Sequence, residues 1–153
     1  MLLLNDIFIP GSPDTTTAQQ NGQQVVNGRI HHYVKRKVEV AKRTLSVQLR
    51  PYAPDMPYLG SLYVRVLWSF DKKSLTRRQQ ASFKKERPDL DNMIKGLADV
   101  MTKLGFWGDD SQIVRMDLMK IWNRKKPGLS IQIYQLFDEE DFLEIAENWR
   151  DGA

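Results

Sequence analysis

Hydrophobic positions along this chain fall into short alternating runs and longer stripes at helical spacing. Residues 2–9 end in the β-rich Ile7-Phe8-Ile9 and are closed by Pro10 and Gly11, which predicts a first strand. Residues 11–28 are mostly Ser, Thr, Gln, Asn and Gly and have little apolar surface to bury. They predict a flexible loop, either unordered or acting as a flap over a ligand. Ile30, Val34, Val38, Ala41, Leu45 and Leu49 then recur at steps of three and four, predicting a helix over 30–49 with Lys35, Arg36, Lys37, Lys42 and Arg43 off the stripe. His31 and His32 are adjacent, point to different sides of such a helix and make a poor chelate. After a proline-rich connector at 51–60, Leu62, Val64, Val66, Trp68 and Phe70 alternate with Tyr63, Arg65, Leu67 and Ser69. This is a period-two strand with one strongly apolar face.

The second half continues the mixture. Residues 71–87 are basic with one Phe, predicting an exposed loop, a frayed helix or a basic strap. Pro88 biases Arg87 towards an extended backbone. Asp89 or Asp91 can cap a helix whose buried stripe is Met93, Ile94, Leu97, Val100, Met101 and Leu104, with Gly105 at its left-handed end. Asp91, Lys95 and Asp99 lie four apart on another side of it. Residues 112–122 and 129–136 alternate around a basic Pro-Gly turn, predicting a β-hairpin over 112–136. Residues 138–149 predict an acidic amphipathic helix that can pack through Phe142, Leu143, Ile145, Ala146 and Trp149. The whole reads as a mixed α/β (α+β) fold: one domain over 1–137, and an acidic tail over 138–153.

Composition adds limits. With 153 residues, 41% hydrophobic and 27% charged, the chain suits one soluble globular domain. It has no Cys, hence no disulfide framework, thiolate metal site or Cys nucleophile. The apolar N-terminal stretch is brief and interrupted by Asn5 and Asp6, so it reads as a strand and not a signal peptide. No apolar run approaches the ~20 residues that span a bilayer. Net charge is +4 and the pI about 9.3. The basic excess is local: residues 29–87 carry fifteen Lys/Arg against four Asp/Glu, whereas residues 138–153 carry seven acids against Arg150 alone. The basic half favours a polyanionic partner such as nucleic acid, although a solvated basic surface would look the same.

Chemistry concentrates in residues 87–110, RPDLDNMIKGLADVMTKLGFWGDD. Asp89 and Asp91 stand at one end of the helix segment, Asp109 and Asp110 at the other. Gathered carboxylates repel unless a cation sits between them. An all-oxygen set of Asp side chains, with Asn92 as a further donor, suits Mg²⁺ or Mn²⁺. Such an ion can activate water and stabilise a phosphoryl transition state, with Lys95 beside the scissile phosphate. Taken singly, each residue has a plainer role: Asp89 or Asp91 as a helix cap, Asp109-Asp110 as a polar turn, Lys95 as a solvated partner of Asp91 or Asp99. An EF-hand is excluded because Ile94 occupies the position that needs glycine.

The spaced elements D-L-D-N, Lys95, an apolar helix, an aromatic turn, then D-D-S-Q-I-V and a strand ending at Lys120 resemble the signature of the RusA family of Holliday junction resolvases. The match is tight over about thirty-five residues, and Ile7 to Gly11 is similar to the family's first strand. The resemblance implies a homodimer with magnesium sites that nicks four-way DNA junctions in recombination or repair, in the cytoplasm of a bacterial or phage-infected cell. Carried over, it makes Asp89, Asp91 and Asp110 the metal-binding catalytic carboxylates and Lys95 the catalytic lysine. Asn92, Asp109 and Lys120 match the pattern as surrounding residues. Lys72, Lys73, Arg77, Arg78, Lys84, Lys85 and Arg87 are the candidate DNA contacts. The long 11–28 loop and the acidic tail depart from the pattern. A non-catalytic branched-DNA-binding module, or a nuclease for another branched DNA, remains the alternative.

Overall fold

The computed structural model describes residues 1–17, 22–33, 35–74, 81–138 and 141–152. Five strands form one mixed sheet: β1 (Leu2–Pro10), β4 (Ser61–Phe70), β5 (Ala81–Phe83), β6 (Ile113–Asn123) and β7 (Gly128–Leu136), in the order β1-β7-β4-β6-β5. Two more, β2 (Gly22–Val26) and β3 (Arg29–Tyr33), pair only with each other. The helices are α1 (Arg36–Leu49), α2 (Leu90–Lys103) and α3 (Phe142–Arg150). Among the described residues no helix is long and apolar enough to cross a membrane. The mixed α/β expectation is met as an α+β fold.

Strand β4 is central because both of its faces can be buried. Leu62, Val64, Val66, Trp68 and Phe70 pack with Leu49 and with Met93, Leu97, Val100 and Met101 of α2 in one core. The opposite face holds Tyr63, stacked on Tyr134 with 5.4 Å between ring centroids. The Tyr63 hydroxyl donates to Asp117, and burial first, then this bond, raises its pKa.

Three expectations are corrected. First, 112–136 is not a hairpin. Strands β6 and β7 flank β4, which pairs parallel with β6 and antiparallel with β7. The alternation identified both strands, but the more apolar β4 is the one that takes the middle position. Second, the helix predicted over 30–49 begins at Arg36, and Ile30, His31 and His32 belong to β3. Ile30 is 65% exposed, so it was never part of the buried stripe, while Val38 and Leu49 were; Val34 lies outside the described residues. Third, the predicted 11–28 loop contains β2 and the Asn27-Gly28 turn. Both turn residues have positive φ, 50° and 74°, the conformation a two-residue hairpin turn requires. The basic 71–87 segment also contributes a short edge strand, β5, paired with β6. The acidic tail helix is present as α3.

Candidate metal centre

The backbone entering α2 is held by two lysines. Lys84, only 5% exposed, donates from Nζ to the carbonyls of Arg87 (2.7 Å) and Glu86 (3.3 Å). Lys120 on β6 donates to the carbonyls of Pro88 (2.7 Å) and Glu86 (2.9 Å). Three consecutive carbonyls before Asp89 are thus gripped by two ammonium groups, and the Arg87–Pro88 peptide between them is cis. The Lys84 ammonium sits 4.3 Å from the Trp122 ring centroid and 5.2 Å from that of Phe70. Burial in this aromatic slot lowers its pKa. The Glu86 carboxylate accepts from the Trp122 indole at 3.1 Å and pairs with Lys72 at 3.7 Å. Its pKa is lowered, chiefly by its own backbone N–H and then by the indole and the charges of Lys72 and Lys84.

Helix α2 then presents its polar side. Asp89 is the N-cap residue, with extended backbone, but its side chain makes no capping bond. Its carboxylate is therefore not consumed by the helix. Asp91 and Lys95 are exposed and Asp99 is half-buried, on successive turns. Met93, Leu97, Ala98, Val100 and Met101 bury the other side, and each large one contributes roughly 1.5–3 kcal/mol by leaving water.

The far end of α2 is closed by a double hydrogen bond. The N–H of Phe106 donates to Met101 O at 3.1 Å and that of Gly105 to Thr102 O at 3.0 Å, with Gly105 at φ 81°. Trp107, 2% exposed, donates its indole N–H to Thr102 Oγ1 at 2.7 Å. A 3₁₀ turn, Asp110–Gln112, follows. Asp109 caps it by accepting from the Ser111 N–H at 2.8 Å. The Gln112 side chain accepts from Gly108 and Asp109 N–H and donates to the carbonyls of Tyr58 and Gly60. The D-D-S-Q motif is thus a capped turn stapled to the connector before β4, with Asp110 at its exposed start. Asp110 has a raised pKa, first through its hydrogen bond with Asp109, then through partial desolvation and the negative charges of Asp109 and Asp99. Asp109 is lowered, first by the Ser111 backbone N–H.

The structure places the carboxylates at two ends of one helix. Asp89 and Asp91 open α2. Asp110 lies beyond its close, within the field of Asp99. Fourteen residues separate the ends, about 20 Å at 1.5 Å per residue. Among the described residues no three His, Cys, Asp or Glu side chains converge to hold a metal ion. The donors are of the right type for Mg²⁺, but one chain alone does not gather Asp89, Asp91 and Asp110.

The basic candidates divide. Lys85 and Arg87 are exposed beside Asp89, and Lys73 is exposed as well. Lys72 is engaged with Glu86 and Trp122. Lys84 is buried and points at carbonyls, which corrects its assignment as a free DNA contact: its ammonium is already committed inside the fold. Arg77 and Arg78 lie outside the described residues. Sequence reasoning missed the Lys84–Trp122–Glu86 packing and the nearness of Asp99 to Asp110. The one available signal was a Trp on the strand that also bears Lys120.

Residues 10–134 match the family model described as Endodeoxyribonuclease RusA. This chain belongs to the RusA family. A "crossover junction endodeoxyribonuclease rusA" of Lactococcus phage r1t is 32% identical over 121 residues, covering 79% of this chain and 90% of that protein. Proteins of the same name from Escherichia coli strain K12 and from Enterobacteria phage 82 are 38% identical over 55 residues, covering 36% of this chain and 46% of theirs.

Proposed function

We propose that this RusA-family chain is a Mg²⁺-dependent endodeoxyribonuclease that resolves four-way DNA junctions by paired hydrolytic nicks, in recombination or repair. The family membership supports a nuclease, and the r1t phage relative's name supports a crossover-junction substrate. The observation that carries the chemistry is the pair Asp89 and Asp91, free of capping bonds, on a backbone held by Lys84 and Lys120. Rigid placement of metal ligands is what such a site requires.

Mg²⁺ would be held by Asp89 and Asp91 together with Asp110, and Mn²⁺ could substitute. When bound, the ion supplies an activated water and charge neutralisation at the phosphate. Because Asp110 lies about a helix length away along the same chain, the third carboxylate is taken to come from a second copy, in a homodimer. An apolar groove between α3 and β6 supports a further chain contact, since Val114, Phe142 and Trp149 line it and are exposed. Lys95, one turn from Asp91, orients the scissile phosphate by its charge. Lys85 and Arg87 neutralise neighbouring phosphates.

The test is cleavage of a panel of branched DNAs of matched sequence in Mg²⁺, Mn²⁺ and Ca²⁺. The expected result is symmetric nicking of the four-way junction in Mg²⁺ and Mn²⁺ and little in Ca²⁺, with Asp110→Asn abolishing nicking and leaving junction binding largely intact. Nicking that persists in Asp110→Asn removes Asp110 from the site. Binding without nicking in any metal would leave only a DNA-binding module.

A further inference from the structure

A cavity of about 360 Å³ lies between α1, α2 and residues 9–17. It falls at the small end of ligand-site volumes, ~300–1,000 Å³. Its floor is apolar, with Trp68, Leu97 and Leu129. The polar part of its lining is of mixed charge, with Lys42, Asp14, the amides of Asn92 and Gln48, and Ser and Thr hydroxyls. Asn92 follows Asp91 directly in α2, about 100° further round the helix, so the cavity borders the helix face next to the one that carries a proposed metal ligand. Asn92 is half-buried, yet among the described residues its amide makes no side-chain hydrogen bond; the half-buried Lys42 likewise has no ion pair among them.

Gly96 supplies an independent observation. It sits in the middle of α2, one turn after Asn92, and lines the same cavity. A Cβ built there would meet nothing within 4 Å, and the backbone is ordinary helix, so neither packing nor conformation calls for glycine. Glycine is nonetheless among the least favourable residues in a helix interior. What its missing side chain does is leave the cavity open.

We propose that this cavity receives a single unpaired base of the branched DNA, next to the phosphate at the metal centre. This rests on the nuclease reading above. An apolar floor ringed by two amides, several hydroxyls, one cation and one carboxylate fits a nucleobase, which has a flat apolar body and an edge of both donors and acceptors. It also offers a physical source of structure selectivity. Taking a base out of the stack costs least where stacking is already broken, which is the condition at a branch point and not in continuous duplex.

The test uses the full chain and four-way junctions carrying a single abasic nucleotide at successive positions around the branch point. One position is expected to raise KM about tenfold or more with kcat little changed. Gly96→Leu, which fills the slot and favours the helix, is expected to raise KM on the intact junction to the same degree without lowering the melting temperature. On the responsive abasic junction, Gly96→Leu and the unaltered chain should cut alike. Should Gly96→Leu fold poorly, Gly96→Ala and the abasic series on the unaltered chain still decide. Cleavage indifferent to every abasic position and to Gly96 substitution overturns the proposal and leaves the nuclease reading standing. Strong competition by free deoxynucleoside monophosphates without any abasic effect overturns it in favour of a free-nucleotide site. No cleavage of any branched DNA by the unaltered chain sinks the nuclease reading, and this proposal with it.

Discussion

At the scale of single residues, the chain separates charges that act on a ligand from charges that hold the fold. In the proposed function Asp110 belongs to the first kind. A cation competes with a proton for its carboxylate, and the hydrogen bond to Asp109, with the negative charges of Asp109 and Asp99, keeps that proton bound to a higher pH than an isolated aspartate would. The acid limb of cleavage should therefore lie above the ordinary carboxylate range. Asp99→Asn removes one of the two negative neighbours and should move that limb to lower pH. A pH–rate profile checks it, and an unmoved limb would separate Asp110 from the rate. Lys84 and Lys120 belong to the second kind. Lys84→Met keeps the stem in the Phe70–Trp122 slot while removing the ammonium, its burial cost and its two hydrogen bonds. Those opposing terms should leave stability within about 1 kcal/mol of the unaltered chain. The loosened carbonyls before Asp89 should raise the Mn²⁺ concentration for half-maximal cleavage, and Lys84→Arg should restore it in part. A metal titration beside a melting curve distinguishes this positioning role from simple destabilisation.

At the scale of elements, helix α2 sets the geometry of the centre, and its closing turn decides where Asp110 stands. Gly105 is the residue on which that closure depends, because its φ of 81° is left-handed and the Phe106 bond back to Met101 requires it. A Cβ there meets nothing within 4 Å, so Gly105→Ala should cost only the conformational penalty, about 1–2 kcal/mol, read as a lower midpoint in chemical denaturation. This element was legible in the sequence from end to end. Pro88, the D-x-D pair, a stripe at three- and four-residue steps and a terminal glycine all refer to local physics. The misread order of the main sheet and the misread role of Lys84 depend on partners remote in the chain. Nothing local to 112–136 states that β4 will insert between its two strands, since that follows from the two-sided burial of β4. The β2–β3 hairpin had a local signal in Asn27-Gly28, which the reading of 11–28 as a loop passed over. Lys84 looked like one more cation in a basic run because burial is a tertiary property. Its slot is built by Phe70 from β4 and Trp122 from β6.

At the scale of the whole molecule, the separation of the carboxylates makes a sharp demand on assembly. If Asp89 and Asp91 of one copy share an ion with Asp110 of another, then Asp91→Asn and Asp110→Asn damage different halves of each site. Either variant alone has both sites of its dimer broken and should not nick. In a mixed dimer, one site carries both substitutions, while the other combines an intact Asp91 from one copy with an intact Asp110 from the other. Mixing the two inactive proteins under conditions that exchange subunits should therefore bring nicking back. The recovered product should be singly nicked junction and not resolved duplexes, because only one site per mixed dimer is complete and resolution needs two opposed cuts. If instead each chain brought its own Asp110 to its own Asp91, every site in every mixed dimer would lack one carboxylate, and no mixture would cut. The same preparation run on a sizing column fixes whether exchange has occurred. An exchanged dimer that stays inactive would overturn the shared site and require α2 and the Asp110–Gln112 turn to rearrange within one chain on binding DNA.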